Sequence, residues 1–199
     1  MKKIKLSTKS KTLEDLRKFI KSGKVLPLYR FNLLAYKNNR SKILSKIKNK
    51  FKSNLIIRSS SMNEDNLQNS NAGRFLSLMD IDVNDTEMVK RSIEQVIASF
   101  GKNKKDKDEI FIQPMLNNVS MSGVIFSCDL DTLSPYLVIN YDESGSTSSV
   151  TSGTSNNLKS FICFKERIIV KDRRIKKIIN ASNECEKLFQ NKFLDIEFA

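Results

Sequence analysis

The chain has 199 residues, of which 39% are hydrophobic and 29% charged, a composition that suits one or two globular domains with a buried core. No apolar run approaches the length of a membrane span, and no apolar stretch follows the basic N-terminus as a secretory signal requires. The net charge of +13 is compatible with a polyanionic partner, but the lysines occur in several separate runs, which favours a generally lysine-rich composition. We therefore expect no membrane partner, and a nucleic acid is a less favoured partner than the lysine-rich composition suggests.

Residue types that are rare or absent exclude several kinds of chemistry. The chain has no histidine, which excludes Ser-His-Asp and Cys-His nucleophile systems, His-ligated metal sites and a phosphohistidine within it. Its three cysteines, Cys128, Cys163 and Cys185, are odd in number and lack CxxC spacing. This pattern indicates reduced thiols and a cytoplasmic location rather than a disulfide framework or a zinc site.

Hydrophobic periodicity predicts mixed helices and strands in the first half of the chain. The predicted helices are 13–22, 42–52 and 86–99, and the predicted extended segments are 24–31, 54–58 and 74–81. Gly23 ends the first helix, Ser41 caps the second, and Asp85 or Thr86 caps the third.

The second half reads as strand-rich after a charged connection over 101–109. The predicted strands are 109–116, 120–128, 135–140, 159–164 and 193–199, with an outer strand or hairpin over 165–172 and a helix over 184–190. Residues 143–157 are rich in serine and glycine and read as a loop. We predict an α+β protein of two subdomains, residues 1–105 and 106–199.

The first candidate site follows the buried strand that ends at Ile57. The fork of Arg58 matches phosphate oxygens, and the hydroxyls of Ser59, Ser60 and Ser61 and nearby loop amides supply further donors. The acidic pair Glu64 and Asp65 could orient a basic side chain or a metal. In the alternative interpretation this is an ordinary polar loop, in which Arg58 pairs with one of these carboxylates.

The second candidate site interrupts an apolar strand at Gln113 and Pro114. Such a break suits a hinge whose backbone groups face a flat ligand, and Gly123 would allow that ligand or another chain to approach closely. A simple β-hairpin that turns at Asn117 and Asn118 explains the same pattern equally well.

The third candidate site is the acidic pair near the C-terminus. Side chains repeat every two residues in a strand, so Asp195 and Glu197 share one face. Two carboxylates on one face are suitable Mg²⁺ ligands when phosphates supply further oxygens. The alternative is a pair of surface carboxylates on an edge strand. The chain has no Walker A or GxGxxG sequence that would indicate another route to nucleotide binding.

Taken in order, these motifs resemble the N-terminal nucleotide-binding domain of the phosphoenolpyruvate synthase and pyruvate phosphate dikinase family. The family pattern V-R-S-S-A-x-x-E-D, a short spacer and S-x-A-G-x-x-x-S/T is matched by Ile57–Ser61, Glu64, Asp65, Ser70, Ala72, Gly73 and Ser77. The pattern V-Q-x-M and a following G-V-x-F-S/T strand are matched by Ile112–Met115 and Gly123–Ser127. The pattern D-I-E-W-A is matched by Asp195–Ala199.

The resemblance implies an ATP-grasp fold, with two α+β subdomains and a nucleotide cleft between them. It implies ATP and Mg²⁺ as cofactors. The residues it assigns to nucleotide binding are Lys9, Arg58, Ser59, Gly73, Gln113, Met115 and Glu197. Among these, Arg58 would contact the phosphates, Gln113 and the backbone near Met115 would border adenine, and Glu197, with Asp195, would bind the metal.

A weaker match lies near the N-terminus. Residues 6–13, LSTKSKTL, fit the family's phosphate-covering loop L-G-G-K-G-A-N-L, so Lys9 takes the place of its phosphate-binding lysine. Lys9 and Arg58 are then the catalytic cations. Both loop glycines are absent, however, and the family's G-L-G-E segment falls near 144–147, where its carboxylate is missing.

The resemblance also implies a reaction. Its members split ATP into AMP and phosphate and pass a phosphoryl group through a histidine on a separate domain to an acceptor. Because this chain has no histidine and ends before the family's L-Q-x-R-P strand, we expect it to be a fragment, whose partners are its own phosphohistidine and acceptor domains. The best candidate for the small-molecule acceptor is the amide of L-glutamine, as in capsule biosynthesis, and pyruvate is the alternative.

Two other kinds of function stay open at this stage. A basic nucleic-acid-binding module would explain the charge, although aromatic residues placed for base stacking are lacking. A degenerate regulatory domain that binds nucleotide without chemistry would explain the lost glycines and the missing carboxylate.

Overall fold

A computed structural model describes residues 3–61, 76–145 and 157–199. These residues form an α+β structure with two antiparallel sheets and four α-helices. The chain divides into two compact units. We call Leu6–Arg17 with Val25–Met115 the N-terminal unit, and Met1–Lys5 with Lys18–Lys24 and Leu116–Ala199 the C-terminal unit. The predicted α+β class is confirmed.

The N-terminal unit contains one four-stranded sheet and three helices. In chain order its elements are α1 Lys9–Leu16, β1 Tyr29–Asn32, α2 Leu33–Lys50, β2 Leu55–Ser60, β3 Ser77–Ile81, α3 Thr86–Ser99 and β4 Glu109–Pro114, with a short 3₁₀ turn at Gly101–Asn103. The strand order is β1-β4-β2-β3, and every neighbouring pair is antiparallel. Strand β4 therefore pairs inside this unit, although we had placed it after the boundary at residue 105.

The core of the N-terminal unit lies on one face of its sheet, against α2 and α3. Leu55 and Ile57 of β2 and Ile110 and Ile112 of β4 are completely buried there, alongside Ile93 of α3. Each such side chain contributes about 1.5 to 3 kcal/mol relative to exposure. Because the apolar residues of β2 and β4 face the helices, the side chains that alternate with them lie on the opposite face of the sheet.

The helix boundaries follow from their caps. The predicted third helix is confirmed, because the Asp85 carboxylate accepts the N–H of Met88 at 2.8 Å and α3 begins at Thr86. The second helix begins earlier than predicted, because Asn32 caps it. The backbone leaves helical geometry at Asn39, just before the predicted cap at Ser41, so the prediction found only the second part of a kinked helix.

The C-terminal unit contains the second sheet and one long helix. Its elements are β5 Ser122–Phe126, β6 Tyr136–Asp142, β7 Lys159–Phe164, α4 Arg173–Phe189 and β8 Asp195–Phe198, and the strand order is β7-β6-β5-β8. Apolar residues of α4, including Ile175 and Ile179, pack on Ile125, Leu137 and Ile139 of the sheet. Helix α4 begins at Arg173, well before the predicted helix over 184–190, and residues 165–172, which we had predicted as an outer strand or hairpin, form no strand.

Residues 18–24 belong to the C-terminal unit. The Glu184 carboxylate on α4 accepts the N–H groups of Lys21 at 3.0 Å and Ser22 at 2.7 Å. Helix α1 ends at Leu16, although we had predicted the first helix to run to residue 22. Among the helices of the described ranges, none has the length and apolar character needed to cross a membrane.

Gly123 has a structural role within the second sheet. A Cβ atom at this position would lie 2.1 Å from the backbone oxygen of Asn140 and 2.8 Å from the Cα atom of Tyr141, both on β6. The close approach that we expected at Gly123 is thus made by the neighbouring strand.

This geometry predicts the effect of Gly123→Ala. Because the overlapping atoms are backbone and cannot rotate away, we expect the free energy of unfolding to fall by about 1 to 3 kcal/mol in urea denaturation. Gly23→Ala is the control in the same unit, since its Cβ would meet side chains alone, the flexible end of Ile20 at 3.3 Å and the Cβ atom of Ala181 at 3.6 Å. Equal stabilities of the two variants would contradict this account.

Candidate functional site

The beginning of α1 is built without glycine. Thr8 caps the helix in an ordinary extended conformation, φ −55° and ψ 150°, and its hydroxyl accepts the N–H of Lys11 at 3.3 Å. The N–H of Ser7 donates to the Thr12 hydroxyl at 3.0 Å. Any L-residue can adopt the Thr8 conformation, so this segment does not need the glycines of the family loop. Lys9 is the first residue of the helix, at the positive end of its dipole.

A buried hydrogen bond attaches this helix start to β2. The N–H of Ser10 donates to the hydroxyl of Ser60 at 3.0 Å, although the two serines are 50 positions apart in sequence. Both are completely buried. Ser60 lies two residues beyond Arg58 on the same face of the strand. The backbone segments that carry Lys9 and Arg58 are therefore held together within one unit.

We call the face of the first sheet opposite the α2–α3 core the polar face. Strand alternation and register place on it Arg30 of β1, Arg58 and Ser60 of β2, and Glu109, Phe111 and Gln113 of β4. The guanidinium carbon of Arg58 lies 5.7 Å from the ring centre of Phe111, its partner on β4. This cation–π contact restricts the Arg58 side chain to one region of the face.

Gln113 shares the polar face with Arg58. It lies opposite Ile56, two residues along the strands from the pair formed by Arg58 and Phe111. Its side chain is buried, with a relative exposure of 8%. A buried amide presents both a donor and an acceptor, as recognition of a heteroaromatic edge requires.

Two other predicted nucleotide contacts lie in the same unit but in different settings. Ser59 is buried on the core side of β2 with Leu55 and Ile57, so its side chain is on the opposite face from Arg58. The N–H of Met115 already donates to the carbonyl of Asn54 at 2.8 Å. An adenine ring near Met115 would therefore have to use another group of that segment.

Part of the first motif lies outside the described residues. This holds for Glu64, Asp65, Ser70, Ala72 and Gly73, of which Gly73 is a predicted nucleotide-binding residue. Ser77, the last residue of the motif, is described. It is the first residue of β3, is exposed and pairs with Arg58.

The predicted metal ligands lie on β8 in the C-terminal unit. Asp195 and Glu197 are exposed and alternate with the half-buried Ile196 and Phe198, which pack toward the α4 side of the sheet. The two carboxylates therefore share one face of an edge strand, as the sequence predicted. No cluster of three or more acidic, cysteine or histidine residues suited to a metal occurs in the described ranges. A pair of carboxylates still fits Mg²⁺, since this ion usually keeps waters and takes further oxygens from phosphates.

Burial disfavours the thiolate form of two of the three cysteines, Cys163 and Cys185. Burial, with a smaller contribution from Glu184, raises the pKa of Cys185 to about 11, and burial also raises the pKa of Cys163. A thiol with a raised pKa stays protonated at neutral pH and is a poor nucleophile. Cys128 is buried as well.

Sequence reasoning did not single out Ser10, Arg30 and Glu109, and it took the Ser60 hydroxyl for a phosphate donor rather than the acceptor of a backbone N–H. Serines between charged residues are typical of any polar loop, and Glu109 follows a run of lysines and aspartates that reads as a solvated connection. No local signal in the sequence marks these residues, because their meeting depends on the register of β2 with β4, which puts Ser60 opposite Glu109.

The buried bond between α1 and β2 predicts a stability effect. Ser60→Ala would leave the buried N–H of Ser10 without its acceptor, so we expect the free energy of unfolding to fall by about 1 to 3 kcal/mol. Ser99→Ala is the control, because the Ser99 hydroxyl donates only to a carbonyl of its own helix, that of Val96 at 2.7 Å. A Ser60→Ala protein as stable as this control in urea would contradict the prediction.

No protein-family model matches the chain, and a search of curated proteins finds no match. The family resemblance therefore rests on the order and spacing of the motifs in the sequence. Independently of the motifs, the fold attaches the Lys9 segment to the strand of Arg58 through the bond between Ser10 and Ser60.

Proposed function

We propose that this chain is the ATP-binding part of a dikinase-like phosphotransferase with the ATP-grasp fold. The observation that carries the proposal is the hydrogen bond from Ser10 to Ser60 at 3.0 Å. It joins the segment of Lys9 to the strand of Arg58, the two cations that the sequence motifs assign to the phosphates. These motifs are far apart in sequence, and a chance likeness gives no reason for them to meet in the fold.

The chemistry of the polar face suits a nucleoside triphosphate. The planar fork of Arg58 can bind two phosphate oxygens at once, and Lys9 adds a compact positive charge at a helix start. Gln113 offers an amide to the base. Phosphoryl transfer depends mainly on positioning and charge neutralisation, and this set of residues can supply both.

Mg²⁺ is the metal that we propose for Asp195 and Glu197. When bound, it would neutralise phosphate charge and orient the transferring group. The carboxylates would hold the ion, leaving its other positions to phosphate oxygens and water. The support for this assignment is that both carboxylates are exposed and lie on the same face of β8.

The remaining steps need groups outside this chain. A phosphoryl group passed through histidine requires a carrier domain elsewhere, because this sequence has no histidine. We propose the amide of L-glutamine as the final acceptor, in the formation of a phosphoramidate for capsule biosynthesis, with pyruvate as the alternative. A cytoplasmic location agrees with the unpaired cysteines and the need for ATP.

Nucleotide binding is the first test of this proposal. We expect ATP with Mg²⁺ to raise the melting temperature, since a ligand at 100 times its Kd stabilises by about 2.7 kcal/mol. Arg58→Ala should weaken ATP binding by about tenfold or more, because it removes a charged phosphate contact. Arg91→Ala is the control, as Arg91 is an exposed arginine on α3.

Two results would contradict the proposal. One is a wild-type protein that ATP does not stabilise. The other is equal stabilisation by mixed oligonucleotides, with an affinity that falls steeply as salt is raised, which would favour the nucleic-acid-binding module instead.

The metal assignment predicts a separate effect of Glu197→Ala. We expect this variant to lose the difference in ATP affinity between Mg²⁺ and EDTA buffers that the wild type shows in calorimetry, because the ion loses a protein ligand. Glu166→Ala is the control, since it removes an exposed carboxylate of the same unit. A Glu197→Ala protein that keeps the full Mg²⁺ dependence would exclude Glu197 as a ligand.

A further inference from the structure

Glu109 holds both neighbours of Lys9. Its Oε2 atom accepts the hydroxyl of Thr8 at 2.7 Å and the hydroxyl of Ser10 at 2.5 Å. Its Oε1 atom accepts from Nη1 of Arg30 at 2.5 Å. Both oxygens of this carboxylate, at the first position of β4, are therefore used inside the N-terminal unit.

These contacts fix the backbone on each side of Lys9. Thr8 is attached through its side chain, and Ser10 through its side chain to Glu109 and through its N–H to Ser60. A lysine between two anchored residues loses less backbone freedom when it binds a ligand than a lysine in a loose loop. The Glu109 carboxylate binds the hydroxyl groups of Thr8 and Ser10, and glycine at either position would have no such group.

A carboxylate close to an anion site needs a compensating charge, because it would otherwise repel the ligand. Arg30 supplies that charge through its contact with Oε1 of Glu109. The same guanidinium also contacts Glu14 on α1, with Nε 3.0 Å from Oε2. Arg30 thus links α1, β1 and β4 while it neutralises Glu109.

We propose that Glu109 is a positioning residue for the phosphate end of the nucleotide, acting through Thr8 and Ser10 on Lys9. The inference rests on the proposed function, because it assumes that Lys9 binds phosphate. It assigns Glu109 no contact with ATP. A positioning role predicts an effect on ligands that carry phosphates and none on the nucleoside alone.

Glu109→Gln tests this role, because the amide keeps the shape of the side chain but replaces one acceptor oxygen with a donor nitrogen. We expect the affinity for ATP to fall about tenfold and the affinity for adenosine to stay within twofold of the wild type, both measured by NMR titration. Glu14→Gln is the matched control: it changes the other carboxylate on Arg30, which contacts neither Thr8 nor Ser10 in these networks, and should leave both affinities near the wild-type values.

A second variant keeps the test valid if Glu109→Gln does not fold. Ser10→Ala removes one of the two hydroxyls and should weaken ATP binding about threefold without changing adenosine binding. In the double variant the fold-loss of ATP affinity should be smaller than the product of the two single fold-losses, because both substitutions break the contact between Ser10 and Glu109.

The outcomes separate the inference from the proposed function. A wild-type protein that does not bind ATP overturns both. A wild type that binds ATP, together with Glu109→Gln and Ser10→Ala proteins that bind it equally well, overturns the positioning role alone. Equal losses of ATP and adenosine affinity also overturn it, since they indicate a general structural effect.

Discussion

The buried hydrogen bond between the Ser10 amide and the Ser60 hydroxyl joins the start of α1 to the end of β2, and the candidate site depends on it. Together with the contacts of Glu109 to Thr8 and Ser10, it holds the segment of Lys9 against the strand of Arg58, which is distant in sequence. Both segments lie on the side of the sheet opposite the α2–α3 core. The same core sets the strand register and so decides which polar side chains share a face.

The charge of the chain has two parts with different consequences. The net charge of +13 is spread over many exposed lysines, and their long-range attraction is screened beyond about 8 Å at physiological ionic strength. The cations of the polar face are held by specific contacts instead: Arg58 over the Phe111 ring and Arg30 between two carboxylates. Side chains held in this way lose little entropy on binding, which makes them better suited to one defined anion than to polyanions in general.

The sequence predicted the elements whose signals are local. The cap at Asp85 and the apolar period that follows it placed α3 correctly, and the alternation around Glu197 placed both acidic residues on one face. The start of α4 was wrong, because Ile168–Val170 imitates a strand before Asp172 caps the helix.

The boundary near residue 105 and the network around Glu109 depend on pairings between distant segments. Strand β4 joins the N-terminal unit because it pairs with β1 and β2, and Glu109 meets Thr8 because of that pairing. A single sequence contains no local signal for such contacts. Motif spacing could therefore suggest Lys9, Arg58 and Gln113, but it could not show how their segments are held.

The central claim is that the attached segments of Lys9 and Arg58 form one phosphate-binding site. A titration of the ¹⁵N-labelled protein with ATP and Mg²⁺, followed by NMR, tests it most directly. The account predicts saturable shifts of the Ser10 and Ser60 amides and of the Arg58 side-chain Nε–H, and little response of these signals to adenosine. Shifts confined to other parts of the chain, or no saturable shift at all, would contradict it.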